Sequence, residues 1–205
     1  MTFKSPFWYW SLVILLNLKC QKSGSMNREI NIDSPRRTMM EVYKSLPEGT
    51  LVELIDNVLY MSPSPVYKHQ KVLRQLFRIL CDLIVDTDKG EVMIAPFDVY
   101  LNETSNAVQP DIVIVLKANL RILNEEGHIH GVPDLLVEVL SPGNTDHDLV
   151  RKKNLYEKFG VKEYWIVDPD TKQTSVFSLQ NQKYQLHYEG LSNIESKLLT
   201  QSFQF

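Results

Sequence analysis

"LLVEVLSPGNTDHDLVRKKNLYEKFG", Leu135 to Gly160, followed two residues later by "EYWIVDP", Glu163 to Pro169, decides the fold class. Leu135 to Val139 is a short, nearly continuous apolar run ended by Ser-Pro-Gly, the pattern of a strand buried on both faces. The segment that follows has helical periodicity. Thr145 with Asp148 three residues on resembles a capping box, Asp standing in for Glu or Gln, so a helix is expected to begin near Asp146. "EYWIVDP" then reads as a second strand. Strand, helix and strand in this order imply a parallel or mixed sheet with helices packed against it.

Glu138 breaks the apolar run, and a carboxylate buried without compensation costs several kcal/mol. The helix offers a partner. At 100° per residue, Leu149, Leu155, Tyr156 and Phe159 occupy one inward sector with Lys152 in its middle. Lys153 lies at the flank, while Arg151 and Lys158 point away. An interior glutamate and an interior lysine are thus brought together.

Outward from this unit, "SPRRTMMEVYKSLPEG" reads as a short helix with Ser34 as cap and Pro35 at its first position. "LVELIDNVLYMSP" reads as a hairpin turning at Asp56-Asn57, residue types that tolerate a left-handed backbone. From Val72 to Ile84, apolar residues recur at three- and four-residue spacing, the stripe of an amphipathic helix. Lys71, Arg74 and Arg78 on its polar flank read as a solvated face rather than a phosphate track. "GEVMIAPFDVYL" and "VQPDIVIVL" are strand-like, and "TSVFSL" with "YQLHYEG" closes the chain as an antiparallel pair.

The 205 residues suit one well-filled domain, placed at 35–205. A net charge of −3 gives no global attraction to nucleic acid or anionic membrane, so phosphate contacts must be local. Cys20 and Cys81 form neither a zinc site nor a disulfide framework. Residues 1–25 contain "FWYWSLVILLNL", short for a membrane span and lacking a clean cleavage site. They read as an upstream extension outside the fold, which makes the folded domain cytoplasmic with no membrane partner. A signal-like segment leading to export stays open.

Asp111 in "QPDIVIVL" opens a strand of pure Ile and Val, at the mouth of the sheet. Two carboxylates supply the oxygen ligands that Mg²⁺ or Mn²⁺ takes, and a nearby ammonium can orient a nucleophile or stabilise developing charge. A buried ionic network without catalysis would use the same three residues.

Pro110-Asp111 followed by "EVLSP", Glu138 to Pro142, resembles the PD-(D/E)xK nuclease superfamily, and more narrowly its Uma-type restriction endonucleases. The similarity runs from about Pro35 to the C-terminus through "LVELIDNVLYMSPSP", "GEVMIAPFDVYL", "GVPDLLVEVLSP", "GVKEYWIVDP" and "NIESKLL". It implies an α/β, restriction-endonuclease-like core: a mixed sheet flanked by helices, with a β-hairpin and C-terminal antiparallel strands. In that superfamily the lysine usually lies two residues after the acid, where this chain has Leu140. The resemblance implies the variant in which the lysine has migrated to the next helix, at Lys152. Asp111 and Glu138 would hold the metal and Lys152 would assist the water.

The resemblance also places Glu53 and His69 near the site. Glu53 shares a strand face with Leu51 and Ile55 and could be a further ligand. His69 could hold a water or phosphate oxygen, or be a hydrogen-bonded core histidine. Asp98 is either an extra ligand or a sheet-edge acid. His128 and His130 lack further partners and read as loop residues.

The expected function is Mg²⁺-dependent hydrolysis of DNA phosphodiester bonds, by a homodimer if both strands of a duplex are cut. The alternative is a catalytically silent nucleic-acid-binding or interaction protein that keeps the nuclease fold. Carboxylate-pair hydrolysis of a sugar bond is disfavoured by the interior lysine, which neither carboxylate role there requires. No recognition module and no basic aromatic platform for single strands is legible.

Overall fold

The computed structural model describes residues 37–124, 127–141 and 147–205. The apolar segment 1–25, the Ser34 cap, Pro35, the Thr145–Asp148 box and the Leu149 side chain lie outside what it describes. Residues 37–205 form one compact unit. The first described helix, α1 (Met39–Lys44), opens with a capping box in which Thr38 and Glu41 satisfy each other's backbone N–H groups.

Two sheets carry the core. The first holds, side by side, Val58–Met61, Val52–Ile55, Asn106–Val108, Val99–Asn102 and Ile129–His130, and the second Lys183–Leu191, Gln173–Gln180, Glu163–Val167, Leu135–Val139, Ile112–Leu116 and Gly90–Ile94. The hairpin β1 (Val52–Ile55) and β2 (Val58–Met61) turns at Asp56 and Asn57, both at positive φ. The long runs expected as single strands each divide at a proline. "GEVMIAPFDVYL" gives β3 (Gly90–Ile94) in the second sheet and β4 (Val99–Asn102) in the first, with Pro96 between them. "VQPDIVIVL" contributes the end of β5 (Asn106–Val108) in the first sheet and all of β6 (Ile112–Leu116) in the second, with Pro110 between. A proline has no N–H to continue a ladder, so these are the places where the chain changes sheets.

β7 (Ile129–His130) pairs parallel with β4, so His130 lies in a strand rather than the expected loop. Its ring stacks on Tyr100 at 4.9 Å. β8 (Leu135–Val139) is antiparallel to β6 and parallel to β9 (Glu163–Val167), as the strand–helix–strand reading requires. The connecting helix has a wide first portion, His147–Lys152, and continues as α3 (Lys153–Phe159) to Gly160 at φ +86. β10 (Gln173–Gln180) and β11 (Lys183–Leu191) form the antiparallel pair, and β12 (Asn193–Ser196) with β13 (Gln201–Gln204) adds a separate hairpin.

Alternation along β6 and β8 sorts side chains onto two layers. Ile112, Ile114, Leu135, Val137 and Val139 pack against α2 (Tyr67–Leu80), through Val72, Leu73, Leu76 and Leu80. Val113, Val115 and Leu136 pack on the other face with Leu155 and Tyr156 of α3. This second layer also receives Ile55, Val99 and Val108, which join the two sheets in one core. Glu138, in phase with Leu136, therefore points to the α3 side. Among the described residues no helix is long and apolar enough to cross a membrane.

Candidate active site

A solvent-open cleft of about 160 Å³ lies between the ends of β6 and β8, the start of α2 and the edge of β1. His69, Gln109, Asp111, Glu138 and Lys152 all line it. The antiparallel register Ile112↔Val137 puts Asp111 and Glu138 opposite each other, one step beyond the end of the ladder. Their carboxylates come from adjacent strands of one sheet. The site is not confined to that sheet, however, since Glu53 and Gln109 reach it from the β1–β5 side.

Lys152 Nζ is the centre of the arrangement. It lies 2.9 Å from Glu138 Oε1 and 3.0 Å from Glu53 Oε1, and all three side chains are almost wholly buried. Glu53 Oε1 also accepts the backbone N–H of Gln109 at 2.9 Å. Its other oxygen, Oε2, is buried with no hydrogen-bond donor among the described residues. Glu138 Oε1 accepts in addition the phenol of Tyr156 at 2.9 Å. Burial pushes the Tyr156 phenol well above its ordinary range, and the Glu138 and Glu53 charges push it further. It stays protonated and donates.

Asp111 is more open, at 16% side-chain exposure. Its Oδ2 accepts the Val139 N–H at 2.7 Å and faces His69 Nε2 at 3.1 Å. An ionised carboxylate can only accept, so His69 donates from Nε2. Oδ1 makes no hydrogen bond among the described residues. Asp98 belongs elsewhere: it receives Gln109 Nε2 at 2.8 Å and the Tyr43 hydroxyl at 2.9 Å, outside the cleft lining. His128 and His130 are likewise absent from the cleft lining.

Two participants were not singled out from sequence. Tyr156 was visible only as one more inward-facing residue of the helix, one turn after Lys152. Gln109 precedes the Pro-Asp pair and links Glu53 to Asp98, with no sequence signal beyond that adjacency.

The donor set can be tested against a divalent cation. No three His, Cys, Asp or Glu side chains are already gathered as an ion-ready cluster among the described residues. The chemistry of the set nonetheless suits a hard cation. Two carboxylates flank a single ammonium, one buried carboxylate oxygen has no donor among the described residues, and Asp111 lines the same open cleft. Asp111, Glu138 and Glu53 are the carboxylates at the cleft and its lysine that such a cation would have to draw together.

A 22% identical crystal structure, described as "a putative nuclease belonging to DUF820" from Anabaena variabilis, superposes with a TM-score of 0.60 over 73% of this chain and 83% of its own. That likeness shows the fold. Among curated proteins none matches. A family model described as "Uma2: Putative restriction endonuclease" matches residues 40–204, which span the hairpin, both proline crossings, the cleft and the closing strands. The chain belongs to the Uma2 family.

Proposed function

We propose that this protein is a divalent-metal-dependent endonuclease that hydrolyses DNA phosphodiester bonds in the cleft around Lys152. The observation that carries the reading is the bridging of Glu53 and Glu138 by one buried ammonium beside Asp111, at the floor of an open cleft. Family membership supports it. Asp111 and Glu138 would hold Mg²⁺ or Mn²⁺, which when bound supplies Lewis acidity toward a phosphate oxygen and lowers the pKa of water.

The chain's own side chains account for the rest. Glu53 and Glu138 fix Lys152 Nζ in one place, so its charge is preorganised to orient the attacking water and to stabilise charge developing on phosphorus oxygens. Tyr156, buried and outside the cleft lining, holds Glu138 Oε1 as a neutral donor that does not compete for the proton. His69 and the Val139 N–H clamp Asp111 Oδ2, leaving Oδ1 as its available ligand atom. One site cuts one strand, so cleavage of a duplex calls for a homodimer.

The test is nicking of supercoiled plasmid with Mg²⁺ by the parent and by Lys152→Ala and Glu138→Ala. Activity surviving both substitutions rejects the assignment. Calorimetric titration with Mn²⁺ separates an active site from a silent one. The parent should take up the ion and Asp111→Asn should lose it, whereas a folded parent that takes up none favours the silent binding protein.

A further inference from the structure

α2 has a charge pattern that its packing does not explain. Its fourteen residues, "YKHQKVLRQLFRIL", carry four cations and no acid, in a chain whose 25 acids outnumber its 22 Lys and Arg. A solvated helix face ordinarily mixes signs, with acids three or four residues from bases. The first turns here hold Lys68 and Lys71 and no acid, which opposes the helix dipole. Lys68 is paired with Asp170. Lys71, Arg74 and Arg78 are exposed and make no ion pair or hydrogen bond among the described residues.

At 100° per residue, Tyr67, Lys71, Arg74 and Arg78 fall within a sector of about 60° and form one stripe opposite the face that carries Leu76 and Leu80. The stripe is about 16 Å long at 1.5 Å rise per residue. It starts with a tyrosine that is 77% exposed. It is continuous with the cleft, because Gln70, next around the helix from Tyr67, lines the cleft together with Pro65 and His69. Arg74 and Arg78 also border a recess with Gln75 and Phe205 at the far end.

We infer that this stripe is the track for an unpaired segment of the substrate strand, with Tyr67 stacking a base at the cleft lip and Lys71, Arg74 and Arg78 taking successive phosphates. The inference rests on the nuclease reading and names the form of nucleic acid that the site receives. Charge complementarity selects a polyanion, and the exposed ring selects a polyanion with accessible π faces. A base stacked on an aromatic ring beside a basic groove is how single strands are held without sequence preference. A continuous duplex keeps its bases stacked on each other and would leave the Tyr67 ring with nothing to cover it.

Fluorescence anisotropy tests this on the full chain, without divalent metal, using a labelled single-stranded oligonucleotide and a blunt duplex of the same sequence across a salt series. The parent should prefer the single strand. Lys71→Gln/Arg74→Gln/Arg78→Gln should lower the single-strand salt slope by about 2, at roughly 0.7 per phosphate contact. Tyr67→Ala should weaken single-strand binding about five- to a hundredfold with the slope unchanged. All four positions are exposed, and an unchanged circular dichroism melt confirms that the variants are folded.

An unaltered slope in the triple variant overturns the track. So does equal weakening of single strand and duplex by Tyr67→Ala, or displacement by polyglutamate as effective as by unlabelled DNA. The two readings fail separately. Intact strand binding without metal-dependent cleavage removes the nuclease and keeps the track, while cleavage indifferent to unpaired DNA and to these substitutions removes only the track.

Discussion

Replacing Lys152 by methionine tests the site where it is most constrained. Methionine keeps an unbranched apolar stem and deletes the charge. The lysine side chain is 6% exposed, and the two acids it bridges are 2% and 4% exposed. At the surface such a bridge would contribute at most about 1 kcal/mol. Here the substitution strands two carboxylates out of water, and removal of one partner from a buried pair costs about 3–5 kcal/mol. Both contacts share a single cation, so that figure is counted once. In a unit of this size each kcal/mol moves the melting midpoint by about 2–4 °C, which gives a fall of roughly 6–20 °C. Thermal unfolding followed by circular dichroism, in chelator, measures it. Adding Glu138→Gln removes one stranded charge and should recover part of the loss, as coupled neighbours do. Millimolar Mg²⁺ should also recover part of it. A fall equivalent to less than about 1 kcal/mol, or a double variant weaker than the single one, would show that the ammonium does not hold the two acids together.

Tyr156 carries the pH dependence. A tyrosine whose folded pKa lies above its unfolded value near 10 contributes stability that is complete below that pH and lost as pH rises past it. Tyr43 and Tyr184 are raised by burial in the same direction, so the parent's urea midpoint should decline above about pH 10. Tyr156→Phe should lose about 1.5–3 kcal/mol at neutral pH, the worth of a hydrogen bond to a charged group, and show a shallower alkaline decline. Glu163 is a buried acid of another kind, receiving Ser196 Oγ at 2.6 Å, the Lys197 N–H at 3.0 Å and Ser178 Oγ at 3.3 Å. Glu163→Gln should cost about 1–3 kcal/mol in urea unfolding yet leave plasmid nicking intact, because it ties the closing hairpin to β9 and does not line the cleft. A Cβ at Gly90 would collide with the Val115 carbonyl of the paired strand, so Gly90→Ala should lower stability by about 1–3 kcal/mol in the same assay.

The strand–helix–strand unit was legible because its cues are local: an apolar run, a punctuation of Ser-Pro-Gly, a helical period and a second run. The hairpin at Asp56-Asn57 was legible for the same reason. The division into two sheets was not. Pro96 and Pro110 announce that a strand ends, and a strand ends in the same way whether its successor joins the old sheet or a new one. Lys152 was readable as an inward cation from helical phase alone, and Glu138 as an inward acid from strand phase. That Glu53 completes the bridge depends on β1 pairing with β5 and facing α3, a long-range fact that no local pattern encodes. Tyr156 was hidden by its own chemistry, since a tyrosine on an apolar helix face is ordinarily core and only the position of Glu138 gives its hydroxyl a task.

The same geometry shows how a lysine on the helix reaches both acids. Leu140, at the position two residues past the acid, packs with the apolar cluster on the α3 side of the sheet. A lysine there would approach Glu138 along the strand and would have to pass its stem over that cluster. From α3's side, Lys152 approaches from above and meets Glu138 and Glu53 together, which a strand lysine confined to one sheet could not do as directly. One turn later Tyr156 reaches the same Glu138 oxygen, so a single helix face delivers both the cation and the neutral donor. A charge carried on the helix therefore couples the two sheets through one ammonium. A Leu140→Lys/Lys152→Met variant makes the point measurable: by this reasoning it restores a positive charge near Glu138 but leaves Glu53 unbridged, and its melting midpoint should stay well below the parent's. Full recovery of the midpoint would mean that the Glu53 contact contributes nothing and that the helix position is incidental.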